Sequence, residues 1–181
     1  MYHPLDDLIP FCELFVVPYM FWFVYLAGMY LYTLFYDIDT FRRLMKFTII
    51  TYTTTLFAYL IYPTCQELRP VEFARDNYLT QFMAEFYRFD SNTNVCPSIH
   101  VIGSAAVCLA GLHAPKLQKL RWKLFFTGTA VLICMATVFL KQHSILDVLW
   151  AIPICAAAYV LCWGKAGPEK AGMIEKWGRG Q

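Results

Sequence analysis

Five apolar stretches, each near the length a bilayer demands, dominate this chain: Leu14 to Tyr36, Phe47 to Tyr62, Pro97 to His113, Leu124 to Leu140 and Ile145 to Trp163. A helix rises about 1.5 Å per residue, so roughly 20 residues cross a hydrocarbon core about 30 Å thick. Lipid supplies no hydrogen-bond partners, so each amide in such a stretch must be satisfied within its own helix. The sequence therefore predicts an all-α integral membrane bundle of about five transmembrane helices. The apolar fraction of 59% agrees, since soluble chains hold roughly 45–50%. By length, residues 1–181 make one membrane-embedded domain.

The segments between the stretches differ in kind. Residues 1–13 read as an interfacial lead carrying Asp6, Asp7 and Glu13, where a cleavable signal would place a basic segment. Asp37 to Thr40 reads as a turn ahead of Arg42, Arg43 and Lys46. The second stretch is rich in threonine, whose hydroxyls bond back to the preceding helical turn or pack against another helix. Tyr62 to Asn94 is the one long polar stretch, and from Val71 to Arg88 it has a helical rhythm of apolar and charged residues. That rhythm fits one interfacial amphipathic helix, lying in the headgroup region or capping the bundle. Residues 164–181 form a tail without periodicity, expected to be poorly ordered.

Charge placement orients the bundle. Arg42, Arg43, Lys46, Lys116, Lys119, Arg121, Lys123, Lys165, Lys170, Lys176 and Arg179 fall on one side, which is eleven of the fifteen basic residues. The positive-inside rule makes that side cytoplasmic, with the N-terminus outside and the C-terminus inside. The formal net charge of +2 gives no reason to invoke nucleic acid. The seven cysteines form no CxxC pair, and Cys65 and Cys96 share the polar loop, where an oxidising compartment would permit a disulfide.

Polar residues that a membrane tolerates poorly gather at the outer side. His143 and Asp147 stand four residues apart, so on a helix the carboxylate can hold one ring nitrogen and leave the other free. Cys96-Pro97-Ser98-Ile99-His100 opens the third stretch, with Pro97 as the expected first helical residue. Free amides and the dipole there favour an anion, which the Ser98 hydroxyl could help hold, and His100 could protonate a leaving oxygen. Arg69, before Pro70, offers a bidentate guanidinium, and Lys141 adds a cation beside His143. Each has an ordinary alternative as a helix cap, a snorkelling side chain or a Lys141–Asp147 pair. Their conjunction favours function, because an ionisable group near the membrane core costs about 2.5–3.5 kcal/mol or more. His113 lies at the other end and reads as an interface residue. No third histidine, cysteine or carboxylate stands at metal-ligand spacing, so no metal or cofactor is expected.

In their order Arg69-Pro70, Pro97-Ser98-Ile99-His100 and His143 with Asp147 resemble the three signature motifs of the type 2 phosphatidic acid phosphatase superfamily, the membrane branch of the vanadium haloperoxidase-like fold. The resemblance spans about Tyr62 to Trp163 and implies a metal-independent phosphatase working through a phosphohistidine. By that resemblance His143 attacks phosphorus, Asp147 orients it, Ser98 and Arg69 hold the phosphate, and His100 protonates the departing oxygen. Two positions depart from the pattern. Tyr62 stands where the family usually has a lysine seven residues before the arginine, and Thr137 where it usually has an arginine six residues before the last histidine. Lys141 is one candidate replacement, and Arg75 or Arg88 another. Five stretches instead of the family's usual six is a further difference. The implied function is hydrolysis of a membrane lipid phosphate or pyrophosphate at the extracytoplasmic face. The alternatives are a lipid phosphotransferase resembling inositol phosphorylceramide or sphingomyelin synthases, and a non-catalytic protein that binds anionic lipid.

Overall fold

The structure, a computed structural model, describes residues 1–164. The tail cations Lys165, Lys170, Lys176 and Arg179, and the expected lack of order there, lie outside the described residues. Among the described residues the chain is all-helical: α1 (Leu5–Leu8), α2 (Val16–Tyr36), α3 (Ile38–Ile61), α4 (Tyr78–Phe89), α5 (Ile99–His113), α6 (Leu120–Phe139) and α7 (Ile145–Trp163). The one β feature among them is an isolated antiparallel bridge between Cys65 and Thr93.

Helices α2, α3, α6 and α7 are long and apolar enough to cross a membrane, whereas α5 has only 15 residues. The expected third span is thus shorter than the others. At about 1.5 Å per residue it covers roughly 22 Å. Its place in the bundle explains how so short a helix suffices: it packs against α2, α3, α6 and α7. Gly103, Ser104, Ala106, Ala110 and Gly111 are buried along it, and small residues let neighbouring backbones approach closely. Gly111 shows how closely, because a Cβ there would stand 2.4 Å from the Phe126 ring of α6.

Three expected boundaries move. The turn foreseen over Asp37 to Thr40 shrinks to Asp37 alone, which caps α3 by accepting from the Thr40 amide at 3.2 Å and hydroxyl at 2.7 Å. Arg42, Arg43 and Lys46 therefore lie inside α3 and not in a connector. The amphipathic rhythm from Val71 yields a helix only from Tyr78, where Asn77 and Thr80 form a reciprocal cap. In α5, Ser98 and not Pro97 occupies the helix boundary, as the N-cap. The threonines of α3 behave as expected: Thr48, Thr51 and Thr54 donate to the carbonyls of Leu44, Phe47 and Ile50.

Helix α4 lies over one end of the bundle. Met83, fully buried, joins Val16, Tyr19, Ala136 and Leu140 in an apolar cluster, and the Phe86 ring meets Tyr19 edge-on. At the opposite end Lys46 donates to the Leu161 carbonyl, and His113 packs against Tyr159 and Trp163. The basic residues of α3 and of the α5–α6 connector thus share the end away from α4.

Candidate active site

The start of α7 is built by its own cap. Ser144 accepts from the Leu146 amide, and Asp147, three residues into the helix, accepts from the Ser144 amide at 3.0 Å through Oδ2. The same Oδ2 meets His143 Nδ1 at 3.1 Å, and both residues are buried. A carboxylate only accepts, so the proton of this pair sits on Nδ1. The geometry presents an oriented imidazole whose second nitrogen does not face the carboxylate.

The turn before it is tight. Lys141 has φ +51°, a left-handed conformation that costs a non-glycine residue about 1–2 kcal/mol. The turn is held by the Thr137 carbonyl, which accepts from both the Gln142 and His143 amides at 3.0 Å. Gln66, buried at 1% exposure, donates to the carbonyls of Lys141 and Gln142.

Ser98 and His100 arrive on α5. The Ser98 amide donates to the Asp147 carbonyl at 3.1 Å, joining the starts of α5 and α7, and its hydroxyl accepts from the Val101 amide at 3.5 Å. The His100 ring stacks on Tyr19 at 4.6 Å, lies 4.4 Å from Trp22, and meets His143 edge-on at 5.7 Å. Buried and with Asp147 close by, the Cys96 thiol is pushed up to about 12, so it is a neutral thiol at physiological pH. Both Cys65 and Cys96 are free.

The structure brings His143, Asp147, Ser98 and His100 together as the sequence predicted, and it places the expected cations differently. Arg69 reaches the site's edge, but its guanidinium donates to the carbonyls of Tyr87, Asp90 and Ser91 and to Gln142 Oε1, and it covers the Tyr87 ring at 4.6 Å. The Lys141 ammonium donates to the Asp6 carbonyl at 2.6 Å. Arg75 pairs with Glu13 and Arg88 with Glu85, and neither hydrogen-bonds to His143, His100 or Ser98.

Two site residues escaped sequence reasoning. Asp6, read as part of an interfacial lead, is 2% exposed. Its carboxylate accepts from the Ser144 hydroxyl at 2.6 Å and the Ile145 amide at 2.8 Å, so a residue 138 positions upstream completes the cap of α7. Gln142 is the second. Its only sequence signal is a polar side chain next to His143.

Eight buried side-chain polar atoms lack a partner among the described residues, and four of them, Arg69 Nε, His100 Nδ1, Gln142 Nε2 and Asp147 Oδ1, belong to this cluster. Buried polar atoms are normally satisfied, so their concentration singles this cluster out as the candidate site.

A family model described as the PAP2 superfamily matches residues 43–168, which include all three motifs and seven of the eight site residues named above from the sequence and the structure, Asp6 being the exception. No curated protein and no solved structure matches the chain.

Proposed function

Because the chain belongs to the PAP2 superfamily, whose members carry out phosphatase or phosphotransferase chemistry, we propose that it hydrolyses the phosphate of a membrane lipid through a phosphohistidine. The observation that carries this reading is the His143–Asp147 pair, in which the carboxylate fixes the proton on Nδ1 and leaves Nε2 as the nucleophile. His143 Nε2 attacks phosphorus as the bond to the lipid oxygen breaks. His100, entering the step as an imidazolium held by the substrate's anionic phosphate, gives that oxygen a proton, and Asp147 stabilises the imidazolium that forms on His143. Water then attacks the phosphohistidine, its proton passes to His100, and inorganic phosphate leaves.

An apolar groove supports a lipid substrate. About 480 Å³ in volume, it runs between α5, α6 and α7 from Val101 and Ile145, neighbours of His100 and Ser144, toward Leu109 and Thr127. The basic residues of α3 and of the α5–α6 connector lie at the end away from this site, so by the positive-inside rule the site faces the extracytoplasmic side, with the N-terminus outside.

Transfer of the headgroup phosphate of a phosphodiester lipid to a second alcohol, with the first lipid alcohol as leaving group, is the second reading, and the placement of Lys141 favours it. With that ammonium on the Asp6 carbonyl, less positive charge faces the substrate than a doubly charged monoester would want. A phosphodiester carries only one charge.

Phosphate release from phosphatidic acid, phosphatidylglycerophosphate, a polyprenyl pyrophosphate and a sphingoid phosphate tests the first reading, and a phosphodiester lipid assayed with and without an added alcohol acceptor tests the second. Release from one of them by the wild type and none by His143→Ala is expected. Wild-type rates in His143→Ala would end the reading, and a phosphodiester product formed only with alcohol would replace it by the second.

A further inference from the structure

We propose that the Gln142 carboxamide contacts the substrate phosphoryl group, its Nε2 donating to a nonbridging oxygen beside the Nε–H of Arg69; the inference rests on the phosphoryl-transfer reading above. Gln142 is 2% exposed, and its Oε1 lies 2.6 Å from Arg69 Nη2. A guanidinium has no acceptor, so the atom facing it must be the amide oxygen. The orientation of the carboxamide is thereby settled, and its NH2 group is the end left without a partner.

Arg69 has the same deficit. Its two terminal nitrogens are spent on the carbonyls of Tyr87, Asp90 and Ser91 and on Gln142, while Nε has no partner. Two hydrogen-bonded residues thus each hold back a donor, and one of them immediately precedes His143 in the chain.

Neither donor is free to wander. The Gln142 backbone is held at its amide by the Thr137 carbonyl and at its carbonyl by Gln66 Nε2. A tetrahedral oxyanion, with several lone pairs and charge to share, is the chemical class that satisfies such a pair of donors. Gln142 then does by hydrogen bonding what a cation would do at a site where Tyr62 and Thr137 contribute no charge.

The test compares Gln142→Glu with Gln142→Met in the purified full-length protein. The readouts are orthovanadate binding, seen as a rise in thermal midpoint, and kcat/KM on whichever lipid phosphate the wild type hydrolyses. Glutamate keeps the acceptor for Arg69 but turns a carboxylate oxygen toward the oxyanion. Methionine removes both functions at similar length. Loss of one oxyanion donor costs roughly 100-fold or more in rate, so both variants should fall by that order, with Gln142→Glu the worse of the two. A residue that served only to hold Arg69 would give the reverse order. Vanadate binding or turnover by Gln142→Glu equal to or better than Gln142→Met therefore overturns the proposal. Wild-type protein that neither binds vanadate nor releases phosphate from any lipid overturns the underlying reading instead.

Discussion

Replacing Asp6 with alanine isolates what the N-terminal segment does for a site 138 residues away. The Asp6 carboxylate accepts from the Ser144 hydroxyl and the Ile145 amide, two bonds that join α1 to the start of α7. Hydrogen bonds to a charged group contribute about 1.5–3 kcal/mol each. Water and local rearrangement recover part of that once the carboxylate is gone, leaving a net loss of about 3 kcal/mol in anchoring. At 1.36 kcal/mol per decade this is roughly a 100-fold rise in local opening. Hydrogen exchange at the Ile145 amide should accelerate by about that factor while the interior of α5 keeps its protection. His143 precedes the loosened cap by one residue, and a misplacement of about 1 Å can cost about 100-fold in rate. The kcat for lipid phosphate should accordingly fall roughly 10- to 100-fold with little change in KM, and Asp6→Asn, which keeps one oxygen acceptor, should lie between Asp6→Ala and the wild type. Unchanged exchange at Ile145 together with wild-type kcat in Asp6→Ala would refute the claim that α1 positions the site.

Other consequences follow from packing and charge. Gly111→Ala drives a Cβ to 2.4 Å from the Phe126 ring, an overpacking that should cost about 1–3 kcal/mol and lower the thermal midpoint; Gly28→Ala, with nothing within 4 Å of the added carbon, is the matched substitution and should not lower it. Burial raises the Asp90 carboxyl above its ordinary range, with Arg69 pulling it partly back down. An acid raised in the folded state disfavours folding once ionised, so this penalty is absent at low pH and sets in as pH climbs through the carboxylate range. Thermal midpoints across that range should show Asp90→Asn gaining on the wild type as pH rises, and a gain that instead grows on acidification would contradict the assignment.

The helical membrane bundle was legible because lipid leaves backbone amides no partner but their own helix, which forces long apolar runs into the sequence. Four of the five stretches gave helices long enough to span, and Ile145–Trp163 matched its helix end to end. The short extent of α5 was legible, Pro97 to His113 against a helix of Ile99–His113, but its central burial was not, because its small residues read as apolar whether they face lipid or neighbouring helices. His143 with Asp147 was readable from helical spacing, and Ser98 with His100 from the proline ahead of them. The cations were not. Whether a long flexible side chain reaches a substrate or a carbonyl depends on the fold, and here Lys141 meets Asp6 while Arg69 meets the loop after α4. Asp6 was misread for the same reason, since its partners lie in another part of the chain.

The phosphohistidine is tested by a rapid acid-free quench of the protein turning over a lipid carrying labelled phosphate, followed by mapping of the labelled peptide. A phosphohistidine intermediate would give an acid-labile, base-stable phosphoryl group on the peptide containing His143, which disappears in His143→Ala together with phosphate release. Label on another residue, or continued turnover by His143→Ala, would contradict it.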